Sequence, residues 1–456
     1  MKDVLFARIF MADYLRKLYQ EYRNEPMIGM FARRTPFLVL RDVDLIKDVL
    51  IRDFSKFANR GTPVPEKAEP LSPHLFNLEV ERWRPLRTRL TPVFTSGKLK
   101  EMFCLILECA ANLEECLEKM VAKGEPVECR ELMGKYTTDV IGSCGFGIET
   151  NALADNESEF RRIGKKVFNS SFSKLFRLRV SEAMPWLYNL LGYVLPQTEI
   201  TTFFTKVISG TMNHRTKNNV VRPDFVNTLL ELKKHPDKLE NIKLTDTFLT
   251  AQAYIFFIAG FETSSITMSN ALYELALNTD MQDKLRKEIA KVYEKNNGEL
   301  TYEQVKDMKY LDLIFQETLR KYPAVPSLQR ISTCDYTFHG TKVTIPKETF
   351  LVISVFAIHR DPNIYPNPDA FIPERFNDDA VAARNSMHYI PFGDGPRNCI
   401  AARFAIYQTK VGLITILRQH KVEVCEKTMI PYVMDPATFL LTPKDGVHLK
   451  ITKVEN

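Results

Sequence analysis

The chain has 456 residues, 45% hydrophobic and 26% charged, with a formal net charge of +6. This composition excludes a disordered chain and supports a sizeable core, and so mild a charge, with no dense Lys/Arg block, excludes a nucleic-acid-binding surface. None of the eight cysteines forms a CxxC pair and a chain this long needs no disulfide staples, so they read as reduced thiols in a reducing compartment.

In chain order, residues 1–23 interleave apolar residues with charges. They hold neither a signal-peptide core nor the ~20-residue apolar run of a spanning helix, so the chain as given is expected to carry no transmembrane anchor. Residues 62–73 read as a Pro-rich loop. Trp83 and Arg87 stand at i, i+4, which puts indole and guanidinium on one helical face, able to donate to one acidic group. An exposed amphipathic helix is the plain alternative. Pro85 lies between them and is acceptable only in a first turn, so that helix is expected to begin close to Glu81. Residues 98–121 repeat apolar positions three or four apart, a helical pattern. The apolar stretch Pro185-Trp-Leu-Tyr-Asn-Leu-Leu-Gly-Tyr-Val-Leu-Pro196 is too short to cross a bilayer; it dips into a membrane surface, roofs a greasy pocket or packs in the core.

Residues 245–277 give the longest helix, about nine turns at 3.6 residues each. Apolar on most sides, it is expected to run through the centre of the protein. In its middle lies Ala259-Gly-Phe-Glu-Thr-Ser264. An acid and a hydroxyl buried there without partners would cost a few kcal/mol. The Thr263 hydroxyl can bond its i−4 carbonyl, opening the helix and leaving room for oxygen and water, while Glu262 relays protons from solvent. A satisfied polar kink is the bland alternative. Downstream, Glu317 and Arg320 at i, i+3 form an ordinary helical pair. Strand signals are few: residues 336–344 alternate around His339-Gly340, and residues 350–355 are a short apolar run. Residues 365–373 form a proline-punctuated meander.

The decisive stretch is Pro391-Phe-Gly-Asp-Gly-Pro-Arg-Asn-Cys-Ile-Ala-Ala-Arg-Phe-Ala405. Two glycines within three residues demand a tight loop, and the apolar run after Cys399 reads as a helix start. A cysteine just before a helix N-terminus sits in a positive field that favours thiolate.

Phe392-Gly-x-Gly-x-Arg397-x-Cys399 resembles the haem-binding signature of the cytochrome P-450 family. Further likeness lies in Glu317-Thr-Leu-Arg320, in Phe371-Ile-Pro-Glu-Arg375-Phe, and in Phe94-Thr-Ser-Gly-Lys-Leu-Lys100, Asp139-Val-Ile-Gly-Ser-Cys-Gly-Phe-Gly147 and Ala271-Leu-Tyr-Glu-Leu-Ala276. The last three resemble the insect microsomal detoxification branch. The resemblance implies a mainly α fold with small β-sheets, one large domain over residues 1–456, and haem b between the long helix and the cysteine loop. Cys399 would ligate the iron; Trp83, Arg87, Arg330 and Arg397 would hold the propionates, with Ala259 and Phe392 also against the cofactor. Thr263 and Glu262 would support oxygen activation, and Glu317, Arg320 and Arg375 would form a buried network. Phe76, Phe256, Phe257, Phe261, Val325, Leu328 and Phe439 would line a pocket for a small lipophilic substrate.

The same resemblance implies a monomeric monooxygenase at the cytoplasmic face of the endoplasmic reticulum membrane. It would take NADPH-derived electrons from NADPH-cytochrome reductase, with a small b-type cytochrome as a second partner, and use no nucleic acid. The chain departs from the family in three places: the membrane anchor and Pro-rich hinge are missing, Ala401 stands where Gly is usual, and Pro85 interrupts the Trp83/Arg87 segment. Two alternatives stand beside the monooxygenase, with a helical binding protein without haem as a distant third. One is a haem-thiolate isomerase or dehydratase of the same fold, against which the Glu262-Thr263 pair argues. The other is a catalytically degenerate haem-binding remnant.

Overall fold

Apolar residues three and four apart become helix wherever the chain repeats them, and the result is mainly helical with small sheets. The computed structural model describes residues 4, 7–32, 35–154, 158–168, 177, 180, 184–192, 198–235, 239 and 242–454. The helices that bear on function are α1 (Met11–Glu21), α2 (Val80–Leu90), α3 (Ser96–Val121), α4 (Cys129–Ile141), α5 (Glu159–Phe168), α6 (Pro185–Leu191), α7 (Glu199–Asn218), α8 (Phe225–Lys234), α9 (Asp246–Leu277), α10 (Lys309–Lys321) and α11 (Ala402–Gln419). The strands are β1 (Met27–Ala32), β2 (Thr35–Leu40), β3 (Val127–Glu128), β4 (Leu328–Ile331), β5 (Tyr336–Thr337), β6 (Thr344–Ile345), β7 (Phe350–Ile353), β8 (His420–Glu423) and β9 (His448–Lys453).

The long helix α9 starts one residue later than its apolar pattern suggests, because the Thr245 hydroxyl accepts the Phe248 N–H at 3.1 Å and caps it. Helix α2 begins at Val80, next to the expected Glu81, yet Pro85 falls in its second turn rather than its first. The missing proline N–H would have served the carbonyl of Glu81, an exposed residue. The apolar segment from Pro185 forms the short helix α6, which turns Trp186 and Leu190 outward at 71% and 56% exposure. Residues 193–196 of that segment lie outside the described residues.

The chain forms two compact units, Met1–Ala58 with Ala110–Gly134 and Thr263–Asn456, and Asn59–Cys109 with Lys135–Glu262. In the first, the main sheet has the order β1-β2-β7-β4. Strands β2 and β7 run parallel, pairing Leu38 with Leu351 and Leu40 with Ile353. These side chains are buried with Leu45, Ile46, Val49, Leu50, Phe57 and Ile390. Each such burial stabilises by roughly 1.5–3 kcal/mol, and together they fix both the turn around Leu50 and the approach to residue 391. A second sheet has the order β3-β9-β8, and β5 with β6 makes a two-stranded hairpin around residues 338–343.

The same unit buries a charged network. Glu317 and Arg320 on α10 pair through two bonds, Nε to Oε2 at 2.7 Å and Nη2 to Oε1 at 2.8 Å, both residues wholly buried. Arg320 also donates to the carbonyls of His359 at 2.9 Å, Pro368 at 2.8 Å and Ala370 at 3.1 Å, and Glu317 accepts the Ile372 N–H at 2.9 Å. The Nε of Arg375 lies 3.5 Å from Glu317, while its Nη2 holds the carbonyls of Pro366 and Asn367. A meander with no regular structure is thus tied, carbonyl by carbonyl, to one helix.

In the second unit, phenylalanines meet in one cluster. Phe257 lies 6.2 Å from Phe146, 5.7 Å from Phe160, 5.3 Å from Phe204 and 5.1 Å from Phe261, while Phe256 stacks on Phe225 at 4.7 Å. Gln252, wholly buried on α9, donates to the carbonyls of Pro73 and Phe248 at 2.9 Å each and accepts the Leu75 N–H at 2.8 Å. It pins the centre of loop 70–78. The Asp139 carboxylate accepts from the Thr150 hydroxyl and from the amides of Ala152 at 2.7 Å and Leu153 at 3.0 Å, closing the segment after α4.

Replacing Arg320 by Ala strips buried Glu317 of its two-bonded partner, leaving it only the Ile372 N–H and the more distant Arg375, and releases the His359 carbonyl and two meander carbonyls. We expect a loss of about 3–5 kcal/mol, read as a lower midpoint of thermal unfolding. Arg320→Lys should rescue little, because an ammonium cannot reproduce the two-pronged pairing.

Candidate functional site

The loop that precedes α11 closes on itself. Gly393 donates to the Ile390 carbonyl at 3.0 Å, Asn398 to the Gly395 carbonyl at 3.1 Å, and Cys399 to the Phe392 carbonyl at 2.8 Å. Gly393 and Gly395 both have φ near +70°, the region open to glycine. At Gly395 the constraint is also steric: a Cβ would sit 1.9 Å from the Leu50 carbonyl oxygen. The loop therefore lies flat against the turn that the first core holds, and presents Cys399 as an exposed thiol three residues before the first residue of α11. The N-cap residue, Ala401, offers no capping side chain, and the helix's positive end favours a negative charge just upstream. Ala401 has φ −101° and ψ 18°, an ordinary conformation in which the alanine carries no backbone strain.

A residue without a sequence signal anchors the loop's upstream end. His359 is wholly buried, and its Nε2 accepts the Ile390 N–H at 3.1 Å. Burial, reinforced by the Arg320 charge, pushes its pKa down to about 3, so the ring is neutral. It stacks on Tyr389 at 5.3 Å, whose hydroxyl donates to the Gln316 carbonyl at 3.0 Å. His359 also supplies a carbonyl to Arg320. The cysteine loop and the Glu317–Arg320 pair are one connected structure.

Strand β4 lies beside this loop, since the side chain of Leu328 comes within 3.8 Å of where a Cβ at Gly393 would stand. Alternation puts Arg330 on the same face as Leu328. Arg330 is 2% exposed and donates to the Gln329 carbonyl at 2.8 Å, but its buried Nε has no acceptor. Burial alone pushes its pKa down to about 10. A buried guanidinium with an unused N–H calls for an anion. Arg397, in the loop itself, is also buried, and Phe392 is half-buried. An accessible thiol with buried arginines beside it fits the haem implied by the sequence, which takes a thiolate on its iron and carries two carboxylates.

On α9, Ala259 is exposed and Thr263 half-buried one turn later, whereas Phe257, Ile258, Phe261, Glu262 and Ser264 are buried. Ala259 and Thr263 thus form an accessible strip, beside half-buried Phe256 and Gly260, on a stretch of helix that is otherwise largely enclosed. The helix runs unbroken through this motif, so the locally opened turn expected around Thr263 is not formed. A hydroxyl from α4 also meets the helix here: Thr137 donates to the Phe261 carbonyl at 2.9 Å.

The remaining candidates separate by exposure. Phe257 and Phe261 are fully enclosed by other rings, and Phe256 is half-buried. Phe76 is 47% exposed, with the Arg60 guanidinium 3.9 Å above its ring, and Phe439 is 69% exposed. Val325 and Leu328 are half-buried. Trp83 is buried and Arg87 half-buried on one face of α2.

Comparison with known proteins points the same way. The family profile described as cytochrome P-450 matches residues 5–450. The chain is 41% identical to cytochrome P-450 6a2 of Drosophila melanogaster over 456 residues, covering 97% of this chain and 90% of the relative. It is 40% identical to cytochrome P-450 6A1 of Musca domestica over 449 residues, covering 97% and 87%. It is 41% identical to probable cytochrome P-450 6a20 of Drosophila melanogaster over 461 residues, covering all of this chain and 91% of the relative.

The neutral state of His359 makes an acid-lability prediction. Its folded pKa of about 3 lies below the ~6.5 of an unfolded histidine. Between those values the unfolded chain binds a proton that the folded one refuses, so stability falls as pH drops through that window. The thermal midpoint should decline from pH 7 to pH 5, and His359→Gln should flatten that decline while lowering the midpoint at pH 7. An unchanged slope in the variant would refute the assignment.

Proposed function

The chain belongs to the cytochrome P-450 family, and on that footing we propose that it inserts one atom of O2 into a small lipophilic substrate with electrons drawn from NADPH through a flavoprotein reductase. Cytochromes of this family are oxidoreductases, and the cofactor they imply is haem. The observation that carries the proposal is the exposed Cys399 thiol on a loop locked by Gly393, Gly395 and His359. When bound, haem would supply the iron at which oxygen is activated, and a thiolate ligand would push electron density towards it.

The protein's own residues do the rest. Cys399 would ligate the iron, and Arg330, Arg397, Trp83 and Arg87 would be partners of the propionates. The strip of Ala259 and Thr263 would face the reacting oxygen. Thr263 would hold a hydrogen bond there, and Glu262 would pass protons from solvent. Phe76, Phe256, Val325, Leu328 and Phe439 would exclude water from an apolar substrate, and the enclosed Phe257 and Phe261 would support them from behind.

A place at the cytoplasmic face of the endoplasmic reticulum fits α6, whose outward Trp186 and Leu190 suit a membrane surface. Among the described residues no helix is long and apolar enough to cross a membrane. The proposed electron donors are NADPH-cytochrome reductase and a small b-type cytochrome, acting on a monomer.

Cys399→Ala should abolish the thiolate-type absorption of the reduced carbon-monoxide complex, and a spectrum identical to wild type would end the proposal. Thr263→Ala should keep that spectrum but yield several-fold less product per NADPH consumed, measured with reductase and a lipophilic substrate.

A further inference from the structure

One hollow belongs to none of this machinery. It has a volume of about 510 Å³ and lies wholly in the second unit. Val207, Gly210, Thr211 and His214 of α7 line it at i, i+3, i+4 and i+7, one face of the helix. Gly147 and Ile148 and, from the start of the α7–α8 connection, Val220 and Arg222 complete the wall, with Arg215 behind.

Gly210 is the first unexplained feature. Glycine weakens a helix relative to alanine, and packing does not require it here, because a Cβ at Gly210 would meet no atom within 4 Å. It does keep the floor of the hollow open. The second feature is charge. Arg215 is buried and gives Nη1 and Nη2 to Asp224 at 2.7 and 2.6 Å, with a further bond from Nη2 to the Phe146 carbonyl at 2.8 Å. Asp224 is therefore already neutralised. Arg222, with 42% of its side chain exposed, comes no nearer than 3.6 Å to that same carboxylate. His214 engages Asn218 through Nδ1 at 3.1 Å, and among the described residues no Asp or Glu lines the hollow. A spare guanidinium thus stands beside the apolar side chains of Ile148, Val207 and Val220.

We propose that this hollow binds a small amphiphilic carboxylate, its acid group on Arg222 and its apolar body along Ile148, Val207 and Val220. The volume suits a small-molecule ligand, and the pairing of one cation with apolar walls selects against both neutral lipids and bare inorganic anions.

The test is calorimetric titration of octanoate into the haem-loaded full-length protein, with the haem absorption band recording occupancy of the oxidation site separately. Arg222→Gln should weaken octanoate binding at least tenfold. Gly210→Leu should abolish it by filling the floor, while leaving the thermal midpoint unchanged or higher, because leucine favours helix. Octan-1-ol and inorganic phosphate should each bind at least tenfold more weakly than octanoate. Wild-type affinity in either variant, or octanol binding as tightly, would overturn the proposal. So would a heat that tracks the haem band and ignores both substitutions, since it would place octanoate in the oxidation site.

Discussion

A sulfur that is to bind metal has to be held at a fixed position by atoms other than its own side chain, because a cysteine has a single rotatable bond with which to aim it. Here the backbone supplies that rigidity. The Cys399 amide is committed to the Phe392 carbonyl, and two residues with positive φ let the chain turn tightly enough to make the bond. The absent side chain of Gly395 lets the loop rest on the Leu50 carbonyl. Leu50 belongs in turn to the core beneath the main sheet. The position of one reactive atom thus depends on ordinary aliphatic packing more than a loop's length away.

The charged network serves the same end from the other side. Arg320 and Arg375 gather carbonyls that no strand or helix uses, and Glu317 offsets their charge. His359 joins this network to the loop through both its backbone carbonyl and its ring nitrogen. Irregular segments buried without such partners would be costly. Given them, a meander can be as rigid as a helix.

Much of this was legible in the sequence because it rests on spacing. The long helix, the helical pair Glu317 and Arg320, and the glycine–cysteine loop each announce themselves within a few residues. What stayed hidden depends on partners far along the chain. Strands β1 and β2 carry no clean alternation: Met27–Ala32 contains a glycine, and Thr35–Leu40 has a proline in second place and three consecutive buried residues. The pairing of β2 with β7 comes from residues more than 300 positions later. His359 sits in a short apolar run with nothing to distinguish it from a packed core histidine; its role emerges only when Ile390 is brought to its ring. Phe76, Phe257 and Phe439 look alike as letters, yet burial separates them sharply.

The two-handed grip of Gln252 on loop 70–78 has an evolutionary corollary. One amide serves the carbonyl of Pro73 and the N–H of Leu75, so the spacing between those two residues is locked to the dimensions of a single side chain. Insertions or deletions there would break one bond or the other. Diversification of this loop among descendants should therefore proceed by exchanging side chains, with a fixed hinge point persisting at its centre.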